Sequence, residues 1–169
     1  MYRIGDWIFY GNIGACQVTD ISVRKIAGMD REHPYYTLMP LENDCSISVP
    51  ADNEKIFMRP LISKDEAEQL IADIPSIDAH AYYTTALRQL SEHYEEMIGT
   101  HDCHALIEMT MSIHQKRKEA DENKKKLGVI DERYMKRAED LLFGELAVAL
   151  GIEKHEVQSY IAGKLGITA

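Results

Sequence analysis

The chain has 169 residues, 45% hydrophobic and 28% charged, an ordinary globular composition that excludes a low-complexity or disordered class. Its net charge of −9 excludes a strong DNA binder by composition, because proteins held by phosphate contacts carry a basic face. Locally concentrated positive charge remains compatible with a nucleic-acid contact, but the balance favours a protein as main partner. Gly5 and Asp6 interrupt the apolar run a signal peptide needs, and no window is long and apolar enough for a membrane span. The cysteines Cys16, Cys45 and Cys103 are odd in number and far apart, which fits free thiols in a reducing cytoplasm.

In chain order, the first sixty or so residues predict short strands. Ile4 to Tyr10 carries Trp7, Ile8 and Phe9 ahead of Gly11-Asn12, and a second run follows Gly14 with Val18, Ile21 and Val23. Tyr35 to Met39, Ser46 to Val49 and Ile56 to Met58 make up the rest. The intervening turn residues suggest a small antiparallel barrel, with Pro40 and Pro50 at strand ends, where a missing amide donor does least harm.

After Leu61 the period changes. Ser63-Lys64-Asp65-Glu66 is a capping box opening a short helix with Leu70, Ile71 and Ile74, ended by Pro75. Asp78 is expected to cap a longer helix through Tyr82, Tyr83, Leu87, Leu90, Tyr94 and Met97, closed by Gly99. A third helix runs from about His101 towards Gly128. A fourth, capped by Asp131, carries Tyr134, Ala138, Leu142 and Leu146 to Gly151, and a last short one holds Val157, Ile161 and Leu165. The fold class is therefore α+β in two domains, an antiparallel β-barrel over residues 1–62 and an all-α helical bundle over 63–169.

No glycine-rich phosphate loop, nucleophile elbow or His-Glu-x-x-His motif occurs, so the reading is a non-enzyme with no catalytic residue and no cofactor. His101-Asp102-Cys103-His104 lacks the second ligand pair of a structural zinc site, and Asp102 is better explained as a helix start. A small metal-dependent hydrolase built on this cluster is the rival from another class. The run from Lys116-Arg117-Lys118 to Lys124-Lys125-Lys126, broken by Glu119, Asp121 and Glu122, fits either a phosphate contact or a solvated face. In the second case it would be laced by pairs such as Lys118 with Glu122 and Asp121 with Lys125. Tyr82 and Tyr83 fit helix packing or contact with DNA.

Ile4-Gly5-Asp6-Trp7-Ile8-Phe9-Tyr10, then Gly14, then Tyr35-Tyr36-Thr37-Leu38, then Val49-Pro50-Ala51-Asp52-Asn53 resembles the N-terminal signature of the bacterial CarD/CdnL transcription regulators. The polymerase-interacting domain of the transcription-repair coupling factor is similar. Arg133, Arg137, Ala138, Leu142 and Gly144 to Ala147 look like the last part of the regulators' helical domain.

The resemblance implies an SH3/Tudor-like barrel that binds the RNA polymerase β subunit by strand addition, with Arg24, Ile26, Ile47 and Ser48 at the contact positions. Ser48 stands where the family places an arginine. It also implies a helical domain against promoter DNA, stabilising the open complex with a tryptophan wedge. No tryptophan lies at the wedge position near Ala86 and Leu87, and Tyr82 or Tyr83 can take its place only with the helix shifted or rotated. Arg88 and Arg137 align with basic positions of the family, and Lys116, Arg117 and Lys136 complete the expected DNA-binding set. A divergent protein that docks on polymerase and scarcely touches DNA is the nearer alternative.

Overall fold

The computed structural model describes residues 1–25 and 32–166, with Arg24 and Lys25 described by backbone alone. It divides into two compact units, Met1–Ile62 and Ser63–Ala169. The architecture is α+β: a five-stranded antiparallel sheet, then five α-helices.

The strands are β1 (Trp7–Tyr10), β2 (Gly14–Lys25), β3 (Glu32–Pro40), β4 (Ile47–Pro50) and β5 (Met58–Pro60), in the spatial order β4-β3-β2-β1-β5. Among the described residues nothing pairs β4 with β5, so the expected closed barrel is an open sheet with two edges. Both edge strands are short and end in proline, which leaves few donors for a closing ladder. The core holds Ile8, Tyr10, Cys16, Val18, Tyr36, Leu38 and Val49. In β2 the inward positions jump from Val18 to Ile21 because the register shifts at Thr19, a bulge that inverts the alternation. Burial pushes the Cys16 thiol up to about 11, as suits an inert core residue.

The starts of β1 and β5 fall later than expected for local reasons, while β3 opens at Glu32, ahead of the expected Tyr35. β1 starts at Trp7 rather than Ile4, because Gly5 sits at φ +95° in a turn that Asp6 closes by accepting from the Arg3 amide at 2.8 Å. β5 starts at Met58 rather than Ile56. Asn53 organises the preceding loop, accepting from the Lys55 amide at 3.0 Å and donating to the Ile56 carbonyl at 3.1 Å.

In the second unit the helices are α1 (Lys64–Asp73), α2 (Leu87–Gly99), α3 (Cys103–Glu122), α4 (Val129–Leu150) and α5 (Val157–Leu165). Single 3₁₀ turns lie at Ile74–Ser76, containing Pro75, and at Lys154–Glu156. The Ser63–Glu66 capping box forms as the sequence indicates, and Gly151 ends α4 at φ +71°. α4 packs against the other four helices and buries Tyr134, Met135, Ala138, Leu142 and Leu146.

Three helix boundaries correct the sequence reading. α2 begins at Leu87, not at Asp78, because tertiary contacts of Tyr82 and Tyr83 hold the preceding segment outside the helix. α4 is capped by Gly128, and Asp131 lies inside its first turn, buried with its carboxylate turned to Lys116. α3 stops at Glu122: the Asn123 side chain donates to the Glu119 carbonyl, and Lys124 turns left-handed at φ +56°.

Candidate functional site

The sheet unit exposes its main chain at the outer side of β4. Ile47 and Ser48 pair with Leu38 and Thr37 of β3, and among the described residues no strand covers their other side. Ile47 is half-buried against the core while Ser48 is exposed, so this edge offers backbone groups beside one apolar and one polar side chain.

β4 stops opposite Tyr35, so β2 and β3 continue beyond it as a two-stranded hairpin. β1 covers only Gly14 to Gln17 of β2, which frees the hairpin on that side too. Arg24 lies on this extension, opposite His33. The four residue steps along β3 from His33 to Thr37 put Arg24 and Ser48 roughly 13 Å apart along the strand, on the two strands flanking β3. Ile26 lies outside the described residues.

In the helical unit, Tyr82 and Tyr83 belong to the stretch before α2. The Tyr82 ring stacks on His93 of α2 with centroids 4.0 Å apart, so that face is occupied within the protein. Tyr83 is 59% exposed, yet its hydroxyl donates to Glu119 and its ring lies 5.1 Å from the Lys116 ammonium. The two tyrosines together strap the segment onto α2 and α3. Leu87, just beyond, opens α2 with its side chain 64% exposed.

The expected basic set divides by environment. Lys116 is buried, 8% exposed, with Nζ 2.9 Å from Asp131 Oδ1, an oxygen that also accepts the Tyr94 hydroxyl. Its charge is spent inside the unit, and a solvated face does not describe it. Burial first, then the bond to Asp131, holds the Tyr94 hydroxyl far above the ordinary phenol range.

Arg137 donates to Glu95 at 2.8 Å. The hydrogen bond from Tyr134 holds the Glu95 carboxyl below its usual range, with Arg137 adding to the effect and partial burial opposing it. Arg88 is exposed and pairs with Glu92 at 3.0 Å. Arg117 is half-buried and Lys136 exposed.

The His101 to His104 cluster does not converge. Asp102 accepts from the His104 amide as the cap of α3, and Cys103 turns inward. The Cys103 thiol donates at 2.7 Å to Glu145, which is 0% exposed. Among the described residues no group of three or more His, Cys, Asp or Glu side chains is arranged to hold a metal ion. Nor is any helix there long and apolar enough to cross a membrane.

A small open sheet with a bare edge offers main-chain groups to which a strand of another protein can add. Residues 2–62 match the family model described as the CarD-like/TRCF RID domain. The match covers the N-terminal unit, which is a CarD-like/TRCF RID-type domain. The family is a non-enzymatic RNA-polymerase-interacting domain, and at family level its partner is the polymerase β subunit.

Proposed function

We propose that this protein is a cytoplasmic regulator of transcription initiation, residues 1–62 docking on the β subunit and residues 63–169 lying against promoter DNA to stabilise the open complex. The observation that carries the reading is the unpaired outer edge of β4 in a sheet of this family. A β-subunit strand adds there, main chain supplying affinity, while Arg24, Ile26, Ile47 and Ser48 set register. At the fork the wedge is an apolar side chain entering a base step from the minor groove. Leu87 fits that role better than Tyr82 or Tyr83, since it is exposed and they fasten the segment before it. Arg88, Arg117, Lys136 and Arg137 supply phosphate contacts around it.

Binding of the full-length chain to the isolated β-subunit lobe tests the docking. The wild type binds at micromolar affinity or tighter, and Arg24→Glu weakens it at least tenfold. Ser48→Arg, which restores the family's residue, strengthens it by roughly 1.5–3 kcal/mol through a charge-assisted hydrogen bond. A folded chain that does not bind the lobe overturns the docking.

A second reading, docking with little DNA contact, is favoured by the net charge of −9 and by the pairing of Lys116 and Arg137 with carboxylates. It predicts that open-complex lifetime is unchanged by the protein while β-subunit binding persists.

A further inference from the structure

α3 and α5 both pack on α4 and scarcely touch each other. Each turns an apolar stripe at helical spacing towards the gap, through Ile107 and Met111 on α3 and through Ile161 and Leu165 on α5. Phe143 of α4 and Ile74, just after α1, help to wall the gap into a cavity of about 310 Å³. Of these six side chains only Ile107 is buried; the other five are half-buried and line a space that the fold leaves unfilled.

The polar groups of this cavity are few. Thr110 lies in its wall, but the hydroxyl donates to the Ile107 carbonyl at 2.8 Å and is spent within α3. His114 and Gln158 are exposed and Glu139 is half-buried, so these three mark the mouth. Among the described residues that line the cavity, Glu139 is the one carboxylate and no lysine or arginine accompanies it. No hydrogen bond or ion pair within the described residues engages Glu139. An apolar well between helices with a small number of convergent polar groups has the form of a small-molecule site.

We propose that this cavity binds a small amphipathic amine, its apolar body seated between α3, α4 and α5 and its ammonium group held at the mouth by Glu139. Size sets the body: a cavity of about 150 Å³ lined by Leu, Ile and Phe holds benzene, so this one has room for about two fused rings. Charge sets the head group. The carboxylate at the mouth is unpaired, and a chain of net charge −9 attracts cations and repels anions. An occupant touching both α3 and α5 joins two helices that otherwise meet through α4. The inference concerns the helical unit alone, and it stands whether or not the chain docks on polymerase.

The test uses three probes that share one ring system: tryptamine, neutral indole and indolepropionate. Each is titrated into the full-length chain, isotope-labelled at its methionine methyl groups, with the Met111 signal assigned through Met111→Leu. Tryptamine is expected to shift the Met111 methyl by the ring current and to bind with a Kd of about a millimolar or tighter. Indolepropionate is expected to bind about fivefold more weakly, and Glu139→Gln to remove that difference while leaving indole unchanged. Ala162→Leu, which fills the cavity from its buried wall, is expected to lose all three probes. Glu139→Gln changes the mouth alone and decides the matter even where Ala162→Leu does not fold. No Met111 shift at about 10 mM tryptamine, well above the expected Kd, overturns the site. A preference for tryptamine that survives in Glu139→Gln overturns the amine assignment. A Met111 signal that moves on dilution of the chain alone, together with a dimer in sedimentation, overturns it in favour of a second copy as the occupant.

Discussion

Lys116 stands four residues after Ser112 and three after Ile113 on the buried face of α3, and its ammonium reaches Asp131 on α4. Removing one member of such a pair leaves the other charge buried and uncompensated, which costs about 3–5 kcal/mol, whereas an apolar replacement of both is far better tolerated. Lys116→Met is accordingly expected to lower stability by about that amount in urea denaturation, and Lys116→Met/Asp131→Leu to recover most of it. Equal losses in the single and double variants would mean that the pair is not the cause. The sequence shows the cationic residue but not its fate. Lys116 and Lys126 look alike in a run of alternating charges, and only the packing of α3 on α4 sends one inside and leaves the other out. Glu145 was similarly invisible as a core residue, because its partner Cys103 is distant in sequence.

Glycines mark where elements turn, and two of them separate backbone strain from crowding. Gly11, after β1, and Gly151, after α4, both lie in the left-handed region, at φ +45° and +71°. A Cβ on Gly151 meets nothing within 4 Å, while one on Gly11 would lie 2.7 Å from the Ile56 side chain. Gly151→Ala is therefore expected to cost about 1–2 kcal/mol from backbone strain alone, and Gly11→Ala to exceed it by an overpacking penalty of about 1–3 kcal/mol. Denaturation midpoints of the two variants check the order. Local chemistry of this kind is what the sequence states most legibly. The Ser63 capping box, the Gly151 stop and the proline-ended strands can each be read from a few neighbouring residues. The start of α2 could not, because Asp78 offers a plausible cap and only the docking of Tyr82 on His93 and Tyr83 on Glu119 prevents its use. Sheet closure was equally out of reach, since it depends on whether two short edges meet.

At the scale of the whole chain, the signature in the first sixty or so residues identified the polymerase-interacting unit, while the second unit is defined by its helices and by what they leave exposed. Leu87 is one such feature, a large apolar side chain on the first turn of α2. Leu87→Glu is expected to shorten open-complex lifetime on a promoter at least tenfold, because a carboxylate beside DNA phosphates is repelled, while β-subunit affinity stays constant. Tyr82→Phe serves as a control that leaves the ring stack in place, and an unchanged lifetime in Leu87→Glu would remove the wedge. The ends of the sheet have a consequence for how the protein survives at cellular concentration. β4 closes at Pro50 and β5 at Pro60, so at these two edges, unlike along the β2–β3 extension, only a few residues are bare before a missing amide interrupts them. Such an edge accepts one short strand and cannot template a growing ladder of copies, which leaves it open for a partner while blunting it against fibre formation.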